Sequence, residues 1–178
     1  MGVTVEGIGV RLRDVTLDDA DLLDDWASPE AKGSFNDFGM PRSPTDREAL
    51  ARGPHRGERQ GELIIERIAD GCPIGTIGWH LERYGPNEES GAWNVGIALV
   101  PEARGHGYGS EAQRLVADFL FATTSLHRVE ASTDVENLAE QRSLEKAGYI
   151  REGILRGAQY RAGGWHDLVN YARLRDDG

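Results

Sequence analysis

The stretch PEARGHGYGS, residues 101–110, places three glycines in five positions between an apolar run, VGIALV, and a segment of helical periodicity. Glycine weakens strands and helices alike, so such density needs a reason: a tight turn, or an anionic ligand drawn close to bare backbone N–H groups. The stretch also sorts its neighbours. An apolar run of that length before it reads as a strand. After it, Ala112, Leu115, Val116, Phe119 and Leu120 recur on one helical side.

The other segments follow the same two periodicities. Residues 5–13 (VEGIGVRLR) read as a first strand, and Thr16 is a candidate cap for a helix whose apolar side carries Leu22, Leu23 and Trp26. From about Lys32 to Arg59 the periodicity lapses, apart from a short helix in DREALAR after the Thr45 cap. GELIIERI and CPIGTIGWHLER flank an Asp-Gly turn and predict a hairpin. AWNVGIALV and RVEASTDV predict strands, NLAEQRSLEKAG a helix closed by Gly148, and YIREGILRGAQYR and WHDLVNYARL a final pair of strands. The expected fold class is mixed α/β (α+β), with seven strands in a mostly antiparallel sheet and about four helices, in one domain over residues 1–178.

Composition narrows the function. The formal net charge of −10 argues against a nucleic-acid or anionic-membrane partner and suits a cationic substrate. No apolar run approaches the roughly 20 residues that span a bilayer, and the N-terminus lacks a signal-peptide pattern. One cysteine, Cys72, offers neither an intrachain disulfide nor a thiol cluster for metal, so a cytoplasmic location and no metal are expected.

The glycine turn must then be matched to a ligand. A triphosphate loop needs G-x-x-x-x-G-K-[ST], which the chain lacks. A dinucleotide turn needs G-x-G-x-x-G; here Gly109 falls one position early and Ser110 stands in its place. Arg104 to Gly109 instead resembles R-x-x-G-x-G, the acyl-CoA pyrophosphate signature of the GNAT superfamily of N-acetyltransferases. TDVENLAEQRSLEKAGY resembles the same family's N-x-x-S-x-x-x-L-E-K-x-G-F segment, with Asn137, Leu144, Glu145, Lys146 and Gly148 in register and Tyr149 for the aromatic. Both termini are similar to the RimJ/RimL branch.

The resemblance implies a GNAT fold with splayed central strands and an acyl-CoA co-substrate, acetyl-CoA or another short acyl-CoA. The pyrophosphate is expected on Arg104, Gly105, His106, Gly107, Tyr108, Gly109 and Ser110, with the His106 side chain at the surface. Pantetheine is expected on the main chain of Ala98, Leu99 and Val100, and Asn137 belongs to the same site. Arg104 either contacts a phosphate or braces the turn. The implied reaction is direct attack of an amine on the thioester, without metal or covalent enzyme intermediate.

Two positions depart from the branch. Where it usually carries a serine, three residues after the asparagine, this chain has Glu140: a poor acid at neutral pH unless its pKa is raised, or simply a solvent-facing residue. Tyr149 and Tyr171 are the other candidate acids. Where the branch often carries a glutamate, two residues before Gly96, stands Asn94, which takes no proton. His80, Glu82, Glu88 and Glu89 are then the candidate bases, and Glu88 and Glu89 also candidate holders of a cationic substrate. Phe35 and Phe38, in the irregular region, are candidate pocket residues, whereas Trp26 reads as core. The expected activity is N-acetyl transfer to a protein N-terminus or to a small-molecule amine or antibiotic, with a homodimer left open. The alternative is a CoA-binding sensor without turnover.

Overall fold

The computed structural model describes residues 2–28, 31, 33–40, 43–53 and 55–177, so Lys32, the start of the irregular stretch, lies outside the described residues. Eight strands form one sheet: β1 (Thr4–Glu6), β2 (Val10–Asp14), β3 (Gln60–Arg67), β4 (Cys72–Arg83), β5 (Gly91–Leu99), β6 (Arg128–Asp134), β7 (Ile150–Arg161) and β8 (Gly164–Leu174). Among the described residues four α-helices accompany them: α1 (Ala20–Trp26), α2 (Arg47–Arg52), α3 (Tyr108–Thr123) and α4 (Leu138–Lys146).

The expected count was seven, because residues 5–13 read as one strand. Gly7, Ile8 and Gly9 instead turn the chain back on itself, with the Gly7 amide donating to the Val10 carbonyl at 2.9 Å, and β1 pairs antiparallel with β2. The expected Thr45 cap is replaced by Asp46, whose carboxylate accepts from the Ala49 amide at 2.9 Å. At α1 a short 3₁₀ turn over Leu17–Asp19 intervenes, and Asp19 bonds back to the Thr16 amide at 2.8 Å.

The strand order is β1-β2-β3-β4-β5-β6-β8-β7. Alternation along the strands divides two faces. Val10, Leu12, Leu63, Ile65, Ile77, Trp79, Trp93, Val95, Val129 and Tyr171 point to one face and make the main core with Ala112, Leu115, Val116 and Leu120 of α3 and Leu144 of α4. Ile64 points the other way and packs with Val15, Ala20 and Leu50, under α1 and α2. The second face therefore has helical cover at β3, while Asn94 on β5 and Glu130 on β6 share it further along.

Every pairing is antiparallel except β5 with β6, and that parallel pair joins at Trp93–Val129 and Asn94–Glu130 alone. Beyond Asn94 the two strands part. The splay expected between the central strands lies here, at the C-terminal half of β5. Among the described residues no helix is long and apolar enough to cross a membrane.

Candidate active site

The splay opens into a cleft of about 480 Å³. Its walls are the end of β5, the loop before α3, the exposed side of α4, and the segment from Gly33 to Asn36. Gly105 and Gly107 have φ of +79° and +85°, left-handed conformations that L side chains rarely adopt. A Cβ at either position meets nothing within 4 Å, so these glycines are required by backbone shape rather than by crowding. Gly109 is different: its Cβ would stand 3.2 Å from the Ser143 Oγ and narrow the cleft. The N-terminal turn of α3, sixteen residues long, thus presents unobstructed N–H groups and the positive end of its dipole to the cleft.

Arg104 braces the turn. Its Nε donates to the Leu99 carbonyl at 3.0 Å and its Nη2 to the Ala31 carbonyl at 2.6 Å. The His106 and Tyr108 rings stack on each other, centroids 5.7 Å apart, and neither lines the cleft.

The main chain of β5 corrects one expectation. The Val100 amide donates to the Ile74 carbonyl at 3.0 Å, so Val100 and, by the alternation of an antiparallel ladder, Ala98 turn their N–H groups toward β4. Ile97 and Leu99 face the gap where β6 has departed. Their N–H groups have no ladder partner among the described strands. Of the three expected residues Ala98 and Leu99 line the cleft and Val100 does not, and only Leu99 turns its N–H toward it. Ile97 was missed, although counting by twos from any one ladder bond identifies it.

Glu140 lines the same cleft and is half-buried. It lies on α4, capped by Asn137, whose side chain accepts from the Glu140 amide at 3.3 Å while its own amide group donates to Thr133 at 3.0 Å. Burial pushes the Glu140 carboxyl up to about 7, opposed only by the side-chain amide that Gln113 donates to it. Gln113 in turn accepts from the Ser143 hydroxyl at 3.2 Å, and Ser143 lies 3.2 Å from Ser110 at the start of α3. A carboxyl poised near neutrality can be protonated and still give its proton up.

Comparison with known proteins gives this geometry its context. Residues 10–150 match the acetyltransferase (GNAT) domain family. The chain belongs to the GNAT acetyltransferase family. It is 41% identical over 83 residues to the probable N-acetyltransferase YjcK of Bacillus subtilis, an alignment that covers 47% of this chain and 46% of YjcK. It is 27% identical over 172 residues to the uncharacterized N-acetyltransferase p20 of Bacillus licheniformis, covering 93% of both. Among solved structures, Mycobacterium smegmatis RimJ in complex with CoA-disulfide has a like fold, with a TM-score of 0.72 at 20% identity over 99% of this chain and 86% of that one.

In this GNAT acetyltransferase the remaining sequence candidates scatter. Phe35 lines the cleft, beneath the Arg161 guanidinium at 5.3 Å, while Phe38 is exposed and outside the lining. Arg161 is itself buried; it pairs with Asp134 and donates to the Ser34 carbonyl, so the β7–β8 hairpin holds the cleft's outer wall. His80 is at the surface with its Nε2 3.0 Å from Glu82, and Glu88 and Glu89 form an exposed turn; none lines the cleft. Tyr149 and Tyr171 are buried, bonded to the Gln113 carbonyl and to Glu145, and burial holds both phenols above their usual range.

The acetyltransferase places another carboxylate at the splay itself. Glu130, buried on β6, stands in register with Asn94, whose side-chain amide lies 3.4 Å from Oε1. Arg128 at 2.7 Å and the Tyr84 hydroxyl at 2.8 Å also donate to it. Nothing local in RVEASTDV signals this; it follows from strands 36 residues apart running parallel.

Proposed function

We infer that the chain transfers an acetyl group from acetyl-CoA to a primary amine by direct attack within a ternary complex. The observation that carries this reading is the parting of β5 from β6 directly above the glycine loop, which leaves the Ile97 and Leu99 N–H groups and the α3 N-terminus unpartnered along one cleft. Buried N–H groups seldom stay unpaired, so a ligand with carbonyls at one end and phosphates at the other fits that edge. Acetyl-CoA supplies an activated acyl carbon and a thiolate leaving group.

The chain's own residues supply the rest. The free N–H groups of β5 orient the ligand as an added strand. Glu140, protonated near neutral pH, donates a proton toward the leaving sulfur. The amine arrives on the opposite face, where the half-buried Asn94 offers its side-chain oxygen and the buried Glu130 behind it adds negative charge. The acidic net charge and the carboxylates Glu62, Glu82 and Glu130 on that face favour a cationic acceptor over an acidic one.

The test is thiol release from acetyl-CoA with a panel containing spermidine, an aminoglycoside and peptides with free N-termini, followed from pH 5.5 to 9. Turnover with at least one amine is expected, and kcat should fall above about pH 7 as Glu140 loses its proton. In Glu140→Gln that alkaline fall should disappear along with most of the rate. Measurable CoA binding with no thiol release for any amine would instead describe a binding protein.

A further inference from the structure

We propose that Arg142 and Lys146 form a site for the 3′-phosphate of the coenzyme's adenosine, so that this chain selects CoA over 3′-dephospho-CoA. The proposal rests on the reading of the cleft as a CoA site.

Four charged side chains line the cleft: Arg104, Glu140, Arg142 and Lys146. Arg104 is committed to the Leu99 and Ala31 carbonyls, and Glu140 to Gln113. Arg142 and Lys146 are exposed, and among the described residues neither has a carboxylate within ion-pair distance. Glu145, between them in sequence, points elsewhere and accepts from the Tyr171 hydroxyl at 3.1 Å. Four residues apart on one helix, the two cations stand one above the other, about 6 Å along the axis.

Position along α4 gives them their order. Asn137 and Glu140 occupy its first turn, beside Gln113. Ser143, one turn on, meets Ser110 and would meet a Cβ at Gly109, so this level of α4 faces the phosphate-binding turn. Arg142 sits at that level, and Lys146 lies one turn beyond it, past the glycines.

The charge balance points the same way. The bare N–H groups and dipole of α3 answer a pyrophosphate, but a phosphate monoester carries a further −1.5 to −2 charges. A chain with a formal net charge of −10 repels such a ligand unless cations stand where that charge arrives. Lysine, a compact charge on a long flexible stem, meets a monoester from several directions, and arginine adds a fork of donors.

Equilibrium binding of CoA and 3′-dephospho-CoA, measured by titration calorimetry on the full chain, tests this. The unaltered protein should bind CoA at least about tenfold more tightly, as two charge-assisted bonds warrant. In the double variant Arg142→Gln/Lys146→Gln that preference should shrink to about twofold or less, with dephospho-CoA affinity changed by less than about twofold and the melting temperature unmoved. Raising salt from 50 to 500 mM should erode the preference in the unaltered protein only. Equal affinity for the two ligands, or full preference in the double variant, overturns the proposal. If neither ligand binds, the CoA reading falls, and this site with it.

Discussion

Glu140 combines two properties at cross purposes: it is needed as an acid only if protonated, and it is protonated only because burial penalises its charge. An ordinary glutamate ionises near 4.5; here the folded state holds the proton up to about 7. Between those values the native chain binds more protons than the unfolded one, so stability falls as pH rises from about 4.5 to about 7 and stays lower beyond. Allowing for an open cleft, the penalty at pH 8 is about 2 kcal/mol. Glu140→Gln, which keeps an acceptor for Gln113, should therefore raise unfolding stability by about that amount at pH 8 and leave it unchanged at pH 4. Urea titrations at the two pH values measure it. A gain of equal size at both would mean that the residue is merely ill-packed. The position of Glu140 was legible from Asn137; its raised pKa was not, because it comes from burial in the folded chain, which no local pattern of residues shows.

Single elements show where local sequence suffices and where it fails. The apolar spacing of Ala112, Leu115, Val116 and Leu120 defines α3 on its own, since one face must be buried. VEGIGVRLR carries strand-like residues throughout, and only its glycines hint at the turn between β1 and β2. What secures that turn comes from a residue about a hundred positions away. The Glu111 carboxylate, in the first turn of α3, accepts from the amides of Ile8 and Gly9, the latter at 3.1 Å. The β1–β2 turn is thereby tied to the helix whose N-terminal end opens on the cleft. Glu111→Ala removes both acceptors at once, and its expected cost is about 1–3 kcal/mol. Hydrogen exchange should show the Gly9 amide losing its protection while the middle of α3 keeps its own. Uniform loss of protection across the chain would mean that the carboxylate holds more than this turn.

At the scale of the whole sheet, the pairings that build the site are the ones a linear reading reaches last. Hairpins such as β3–β4 announce themselves by an Asp-Gly turn, but the order β6-β8-β7 and the short parallel contact of β5 with β6 depend on how α3 returns the chain. Asn94 and Glu130 become neighbours only through that contact, which is why the candidate bases sought along the chain, His80, Glu82, Glu88 and Glu89, do not include the carboxylate at the splay. The same contact has a consequence for the free protein. The strands β1 to β5 and the strands β6, β8 and β7 are joined through the sheet by two residue pairs; the helices and side-chain bonds such as Tyr84 to Glu130 and Arg161 to the Ser34 carbonyl add to that connection. A ligand lying along β5 would bond to exactly those amides the splay leaves free. Alternation then predicts a residue-by-residue pattern of amide exchange. Ala98 and Val100, whose N–H groups face β4, should be protected already in the free protein; Ile97 and Leu99 should exchange at least about a hundredfold faster. Saturating CoA, at about 100 times its dissociation constant, should add about 2.7 kcal/mol to global stability and slow every globally exchanging amide alike. Ile97 and Leu99 should slow by far more than that common factor, because they gain partners that they lacked. If all four slow by the same factor, the coenzyme stabilises the fold without lying along β5, and the splay has some other use.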